Sequence, residues 1–525
     1  MDEFSLQDPS QLIEATSDFA SYPGVQNDAS AKNFLDRFPL PVIISALQSN
    51  SDVPGLESTL VACLERIFKT KYGASLIPQY MSFIQVGLRA DSQIVRCLAC
   101  KTVSCLLEHD DKVAGSAAQL VTEYDIYPCL LDNLINGDEL VATASMDAIK
   151  SLASSPKGID IIFPANGDDA THLRNVAARS SSLGRIRVLA LIVKLFSVSS
   201  SVASIIYNSN LLNLLEAEVS SKNDMLMTLS VLELLYELSE IPHGAKFLSR
   251  TTLLQLLTSL ISNTSAESIL RSRAIMISGR LLSSEDIFSI VEISSVKTLL
   301  SAIDERLEFF KGQDTDECES ALEALGQIGS CNRGAALLLS NSSPVARHVV
   351  DAAFDRQGRG RQLAALHALG NISGENRSED SKLLNDVAEE CLRQLIYETA
   401  GESPKLTPSG LFLSVLRQDS EVRLAAYRLI TGLVARPWCL QQICSKREII
   451  DIVTDAYIES TKNGMEARYN CCKAIHKALS ASNRLLTDPA LSGIGEKLQE
   501  AVRRGPYLAR DRIEAQPAVV TADRF

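Results

Sequence analysis

Four residues early in the chain have the types that a zinc ion binds. Cys97, Cys100 and Cys105 precede His109, and Cys-x-x-Cys is a ligand spacing in thiolate metal sites. The pair falls inside a helical pattern whose register turns it toward a core, where small soft side chains pack well. Cys471-Cys472 reads the same way, so no metal site and no cofactor is expected. A phosphate-binding loop needs a Gly-rich turn that ends in Lys-Ser or Lys-Thr and follows a strand. Gly493-Ile494-Gly495-Glu496-Lys497 has neither the order nor the strand. His-Glu-x-x-His and Gly-x-Ser-x-Gly do not occur. The carboxylate pairs Glu389-Glu390 and Asp110-Asp111 are local, whereas acid–base work needs perturbed groups in a cleft. His367 and His476 sit on long helices and read as solvated, with partner contact as the alternative. No catalytic residue is expected, and the chain reads as a non-enzyme.

The net charge of −13 argues against nucleic acid as a partner, because phosphate binding draws its affinity from a basic stripe. Arg356, Arg359 and Arg361 come nearest to one and read as a solvated helix entrance. Trp438, the single tryptophan, follows Pro437 at the end of a long helix. It packs against the next repeat or serves as an anchor for a partner, a role in which Trp is enriched.

The elements that carry these residues are helices with a long period. Ala62, Ala99, Ala144, Ala190, Ser230, Ala274, Ala321, Ala365, Ala426 and Cys472 fall at equivalent helix centres, spaced 37, 45, 46, 40, 44, 47, 44, 61 and 46 residues apart. A period of roughly 40–47 residues is the signature of HEAT and armadillo repeats. The fold class is therefore all-α, an armadillo/HEAT-like solenoid of about ten repeats. Val95-Arg96-Cys97-Leu98-Ala99 and Val422-Arg423-Leu424-Ala425-Ala426 show the template: an apolar residue, often an arginine, then the small residue four positions after the apolar one. The small residue lets neighbouring helices approach closely.

A second mark follows these helices, as in Pro156-Lys157-Gly158, Pro242-His243-Gly244, Asn332-Arg333-Gly334 and Arg436-Pro437-Trp438. Proline stops a helix, and glycine is expected to supply a turn with positive φ. A short helix and a medium one then lead into the next long helix, with two-helix HEAT-like units as the alternative where the first element is weak. Residues 1–35 form a capping segment, 36–374 the repeats and 375–410 an enlarged repeat with an amphipathic helix near 382–397. Residues 411–508 form the C-terminal repeats, and 509–525 read as a disordered tail.

The start of the sequence lacks a basic and then apolar leader, and no apolar stretch of about 18 residues runs free of charge. Twelve cysteines without framework spacing read as reduced thiols. The expected location is the cytoplasm, with the nucleus as a second compartment, and no membrane is involved.

Some local runs are specific enough to suggest a family. Gly410-Leu411-Phe412-Leu413-Ser414-Val415-Leu416, the later Ala425-Ala426 and the terminating Arg436-Pro437-Trp438 resemble the C-terminal repeats of the 26S proteasome non-ATPase regulatory subunit 5 family. Gly505-Pro506-Tyr507 and Glu323-Ala324-Leu325-Gly326-Gln327-Ile328-Gly329-Ser330 are similar to other parts of it. The resemblance implies a chaperone for assembly of the base of the proteasome regulatory particle. Such a protein binds the C-terminal domain of an ATPase subunit and is absent from the finished proteasome. Implied partners are the ATPase subunits and associated non-ATPase base subunits, with the chain monomeric on its own; the family brings no catalytic residues.

In armadillo stacks the long third helices line a groove. Arg423, Tyr427, Arg468 and Lys473 are placed off the buried stripe of the C-terminal repeats, and with Trp438 they are the candidate partner-binding residues. A general armadillo scaffold or adaptor is the alternative. A nuclear import adaptor would line its groove with many tryptophans, and this chain has one.

Overall fold

The computed structural model describes residues 9–49, 54–109, 116–164, 172–221, 224–310, 315–340, 345–404, 407–482 and 492–507. The disordered tail expected over 509–525 lies outside them, as does the Asp110-Asp111 pair. The described residues form helices and connecting turns, so the fold is all-α and built of armadillo/HEAT-type repeats. Two compact units divide the chain, Met1–His243 and Gly244–Phe525.

The three-helix unit recurs in both. In the first unit Pro156–Ile162, His172–Arg179 and Ser182–Phe196 run short, medium and long. In the second, Gly244–Leu248, Leu253–Ser262 and Ser268–Leu281 repeat that order, as do Asn332–Leu338, Val345–Phe354 and Arg359–Ile372. Ser155 caps Pro156–Ile162 by accepting from the Gly158 N–H, and Pro156 occupies the first turn, where a missing N–H costs nothing. The glycines of these turns do not take positive φ. A Cβ on Gly158 would lie 1.8 Å from the Leu152 carbonyl oxygen, and one on Gly334 would lie 1.9 Å from that of Ile328. Glycine is required because the new helix starts against the end of the old one.

Long helices of successive repeats pack on one another. In the second unit Ser268–Leu281 packs on Asp316–Ile328, then Arg359–Ile372, Ser420–Leu433 and Lys462–Ala481 follow in order. Ala274, Ala321, Ala365, Ala426 and Cys472 are all buried at these crossings. The closest approach, however, lies five residues further along. A Cβ on Gly279 would come 2.6 Å from the Ala324 Cα, and one on Gly326 equally close to the Ala368 Cα. In the first unit the register is looser: Ala99 and Ala144 are buried, Ala190 and Ser230 are half-exposed, and Ala62 is exposed beside buried Cys63.

The long interval after Ala365 adds a loop and the Asp386–Glu402 helix, four residues later in start than the amphipathic pattern suggests. Asn385 fixes that start by accepting from the Ala388 N–H. Arg359–Ile372 still packs directly on Ser420–Leu433, so the added segment lies beside the layer and does not interrupt it.

Candidate partner-binding groove

The arginine of the helix template is a structural residue. Arg187 Nη1 donates to the carbonyls of Leu134, Ile135 and Gly137 at 3.2, 3.2 and 2.8 Å. Arg96 bonds the Ala90 carbonyl, Arg271 that of Ala266, and Arg423 Nη1 that of Gln418 at 2.9 Å. Leu134 and Ile135 are among the last carbonyls of their helix, which lack intrahelical partners, while Ala90, Ala266 and Gln418 lie in the turns that lead into the arginines' own helices; a guanidinium offers five donors in a fixed fork for either task. Arg377 serves two helices at once, donating to Gly329 and Ser330 of one end and to Asn371 and Ile372 of another at 2.7–3.3 Å. Burial, with the charge of Arg436 next, pushes its pKa down to about 10.

Buried carboxylates meet several of these arginines. Glu317 accepts from Arg271 Nη2 at 2.8 Å, from Arg306 Nε at 2.7 Å and from the Ser268 hydroxyl at 2.8 Å. Burial alone would raise its pKa; the three donors more than reverse this and hold it below the ordinary 4.5. Arg436, 2% exposed, bonds Glu389 at 2.6 and 2.9 Å and the Ser373 and Gly432 carbonyls at 3.0 Å each.

This arrangement corrects three of the sequence-based candidates. Tyr427 is completely buried and donates to Glu459 Oε1 at 3.2 Å, while half-buried Arg423 bonds the same oxygen. Arg468 is 2% exposed and its Nη1 donates to the Val453 carbonyl at 2.9 Å. All three face the interior, because the Ser420–Leu433 and Lys462–Ala481 helices are covered on more faces than a single apolar stripe. Glu459, from the turn between repeats, closes over two of them. A helix whose polar residues look outward on a wheel is here held by polar contacts within.

Other readings resolve similarly. Half-buried Trp438 packs on Tyr397 with ring centroids 5.8 Å apart, so its neighbour belongs to the preceding enlarged repeat, not the next one. His367 is half-buried and takes a contact of 3.1 Å from Arg428; burial, then the Arg428 charge, lowers its pKa. Arg359 pairs with Asp419 and Glu421, Arg361 with Asp355, and Arg356 donates to the Ser414 carbonyl. The thiols of Cys100 and Cys105 are pushed by burial up to about 12 and 11, and His109 contacts the Cys105 carbonyl at 3.0 Å. No group of three or more metal-ligating side chains exists among the described residues.

Lys473 is exposed, and one turn further Lys477 stands at the rim of a groove of about 400 Å³. Its floor is apolar, formed by Val434, Pro437, Leu440, Ala474 and Ala478. Lys477 Nζ lies 3.2 Å from Glu379 Oε2, and Lys382 lies 3.9 Å from the same carboxylate. The enlarged repeat thus supplies one wall, the C-terminal repeats the other. An apolar floor with lysines at its edge suits an apolar side chain next to a carboxylate. Lys382 and Lys477 were not among the sequence candidates. The i,i+4 pair Lys473 and Lys477, flanking Ala474 and Ala478, is the signal that could have found one of them.

Fold and groove together define an α-helical repeat protein of the armadillo/HEAT class. A family model described as proteasome non-ATPase 26S subunit matches residues 56–524, and the chain belongs to that family. The 26S proteasome non-ATPase regulatory subunit 5 of Bos taurus is 21% identical over 457 residues, 86% of this chain and 85% of its own. The protein of that description from Homo sapiens is 20% identical over 460 residues with the same coverage. Among solved structures, an engineered protein is 15% identical, covers 81% of this chain and 98% of its own, and has a TM-score of 0.44. No helix among the described residues is long and apolar enough to cross a membrane.

Proposed function

We propose that this chain is a non-enzymatic chaperone for assembly of the 26S proteasome regulatory particle base. It binds the C-terminal domain of one ATPase subunit and leaves before the mature proteasome forms. The family match over residues 56–524 is the observation that supports this reading most, since it supplies the proteasomal setting. The groove edged by Lys382 and Lys477, with exposed Lys473 and half-buried Trp438 on the same repeats, is the surface we assign to the ATPase domain. The mechanism is steric: an occupied ATPase domain cannot dock on the core particle until the chaperone departs. Other base subunits join through the ATPase, neither nucleic acid nor membrane takes part, and the work is done in the cytoplasm and nucleus.

Affinity purification of the full-length protein from cell lysate tests the reading. Recovery of ATPase-subunit modules without core-particle proteolytic subunits is the expected result. Recovery of complete 26S proteasomes, or of unrelated proteins without any ATPase subunit, would overturn it in favour of a general scaffold.

A further inference from the structure

Three helices of the second unit end at a cavity of about 410 Å³. Leu307 and Phe310 line it from the end of Ile293–Phe309, Phe354 and Asp355 from that of Val345–Phe354, and Thr399 and Glu402 from that of Asp386–Glu402. The volume falls within the roughly 300–1,000 Å³ of small-ligand sites. Helix C-termini favour cations. Two helices begin there as well: Asp316–Ile328 meets its own positive end with Asp316, Glu317 and Glu319, and Arg359–Ile372 brings Arg361.

The charge of the wall is unbalanced. Three carboxylates, Asp351, Asp355 and Glu402, line the cavity with one guanidinium, that of Arg361, which bonds Asp355. Behind them Arg347 pairs with Glu398 at 2.8 Å, and His348 bonds Asp304 at 3.0 Å, so the surroundings do not reverse the excess. Asp351 is half-buried, yet the side chain that bonds it is the neutral Thr399 hydroxyl, at 3.0 Å. Burial is the largest influence on its carboxyl and raises the pKa above the ordinary 3.8, and the charge of Glu402 adds to the rise. Buried Glu317 goes the other way, because two guanidinium groups reach it. The fold supplies cations to Glu317 and leaves Asp351 without one in ion-pair contact among the described residues.

The rest of the wall is apolar, with Leu307, Phe310, Leu322, Ala352 and Phe354. A bare metal ion does not suit it, since hard cations take about six or more oxygen ligands. A cation on an alkyl stem suits both parts, its head toward Asp351 and Glu402 and its stem along the leucines and phenylalanines. We infer that this cavity is a binding pocket for an ammonium or guanidinium group carried on an aliphatic stem. A lysine or arginine side chain of a partner and a free polyamine share that chemistry. The pocket has no residue in common with the lysine-edged groove and does not depend on what that groove binds.

Ligand-observed NMR titrations of the full-length protein with n-butylammonium, n-butylguanidinium and n-butanol test this at physiological ionic strength. Both cations are expected to bind at least about tenfold more tightly than the alcohol. The D351N/E402Q variant is expected to lose about tenfold or more for both cations, while K477E binds them as wild type does. Its melting temperature should stay level or rise, because two neighbouring carboxylates at helix C-termini repel each other and the dipoles. Equal binding of n-butanol would overturn the proposal, as would unchanged cation binding by D351N/E402Q. A lower melting temperature in that variant would show carboxylates already partnered within the fold, and would overturn it too. Lys311 and Lys405 follow Phe310 and Pro404 in sequence and lie outside the described residues. Binding that appears only in K311A/K405A would assign the pocket to the chain's own lysines and overturn the proposal. Acetyl-Gly-Ala-Arg-Ala-Gly-amide and spermidine then separate the two sources. The tighter binder of the pair, provided D351N/E402Q weakens it, names a partner's side chain or a free polyamine, and either result supports the pocket.

Discussion

The guanidinium of Arg436 closes on the carboxylate of Glu389 through bonds of 2.6 and 2.9 Å, across 47 residues of sequence. Arg436 belongs to the turn after Ser420–Leu433, and Glu389 to the helix of the enlarged repeat. The pair ties the added segment to the layer it flanks, with the Ser373 and Gly432 carbonyls accepting from Nη1.

Arg436→Ala is expected to destabilise the second unit by about 3–5 kcal/mol, because it strands a partly buried carboxylate and two carbonyls. Arg436→Lys recovers only part of this, since an ammonium cannot reproduce the two-pronged contact. Thermal melts of the three proteins check the order wild type, Lys, Ala.

Close helix packing gives a paired prediction at two glycines. Gly326→Ala forces a Cβ to within 2.6 Å of the Ala368 Cα and is expected to cost about 1–3 kcal/mol or more. Gly401→Ala meets nothing within 4 Å in the Asp386–Glu402 helix and is expected to stabilise by about 0.5–1 kcal/mol. Denaturant midpoints of opposite sign relative to wild type are the readout; a loss at both sites would contradict the packing.

Glu317 gives a pH dependence with a definite sign. Its folded pKa lies below the ordinary 4.5, so its contribution is fully present above pH 4.5 and disappears as the pH falls through the folded value. Glu317→Gln is expected to cost about 3–5 kcal/mol at neutral pH, leaving Arg271 and Arg306 buried without their counter-charge. The gap between wild type and variant should begin to shrink below pH 4.5 and close once the pH falls past the lower folded pKa, where both folded proteins carry a neutral side chain. Melting temperatures of both over a pH series test this, and a gap that stays constant into acid would refute it.

Surface and interior residues of the C-terminal repeats should separate in a binding assay. The charge reversals Lys473→Glu and Lys477→Glu are expected to weaken capture of the ATPase C-terminal domain about tenfold or more together, with the melting temperature unchanged. Arg468→Ala and Tyr427→Phe are expected to lower the melting temperature instead. Capture unaffected by both lysine reversals would remove the groove from the proposed interface.

The repeat could be read from the sequence because helical spacing and a 40–47-residue period survive in one dimension. Ala274, Ala321 and Ala365 mark helix crossings that the structure shows buried. The same spacing could not show that Gly279 and Gly326 make the closest approach, since that depends on which residue of the next helix lies opposite. A helical wheel also misplaced Tyr427 and Arg468, because it knows one helix at a time and not the turn that brings Glu459 over Tyr427 or the neighbouring helix that offers Arg468 its Val453 carbonyl.

By itself the sequence determined the all-α class, the repeat period and the family resemblance, all of which rest on local pattern, while the choice between two-helix and three-helix units waited for the structure. Tertiary structure decided which polar residues are interior. Several arginines between apolar neighbours turn inward to cap helix ends, while Lys473 and Lys477, one turn apart, stay in water beside an apolar groove. The physical reason is that a guanidinium can satisfy many orphaned carbonyls at once. Where those carbonyls lie is set by how one repeat stacks on the next.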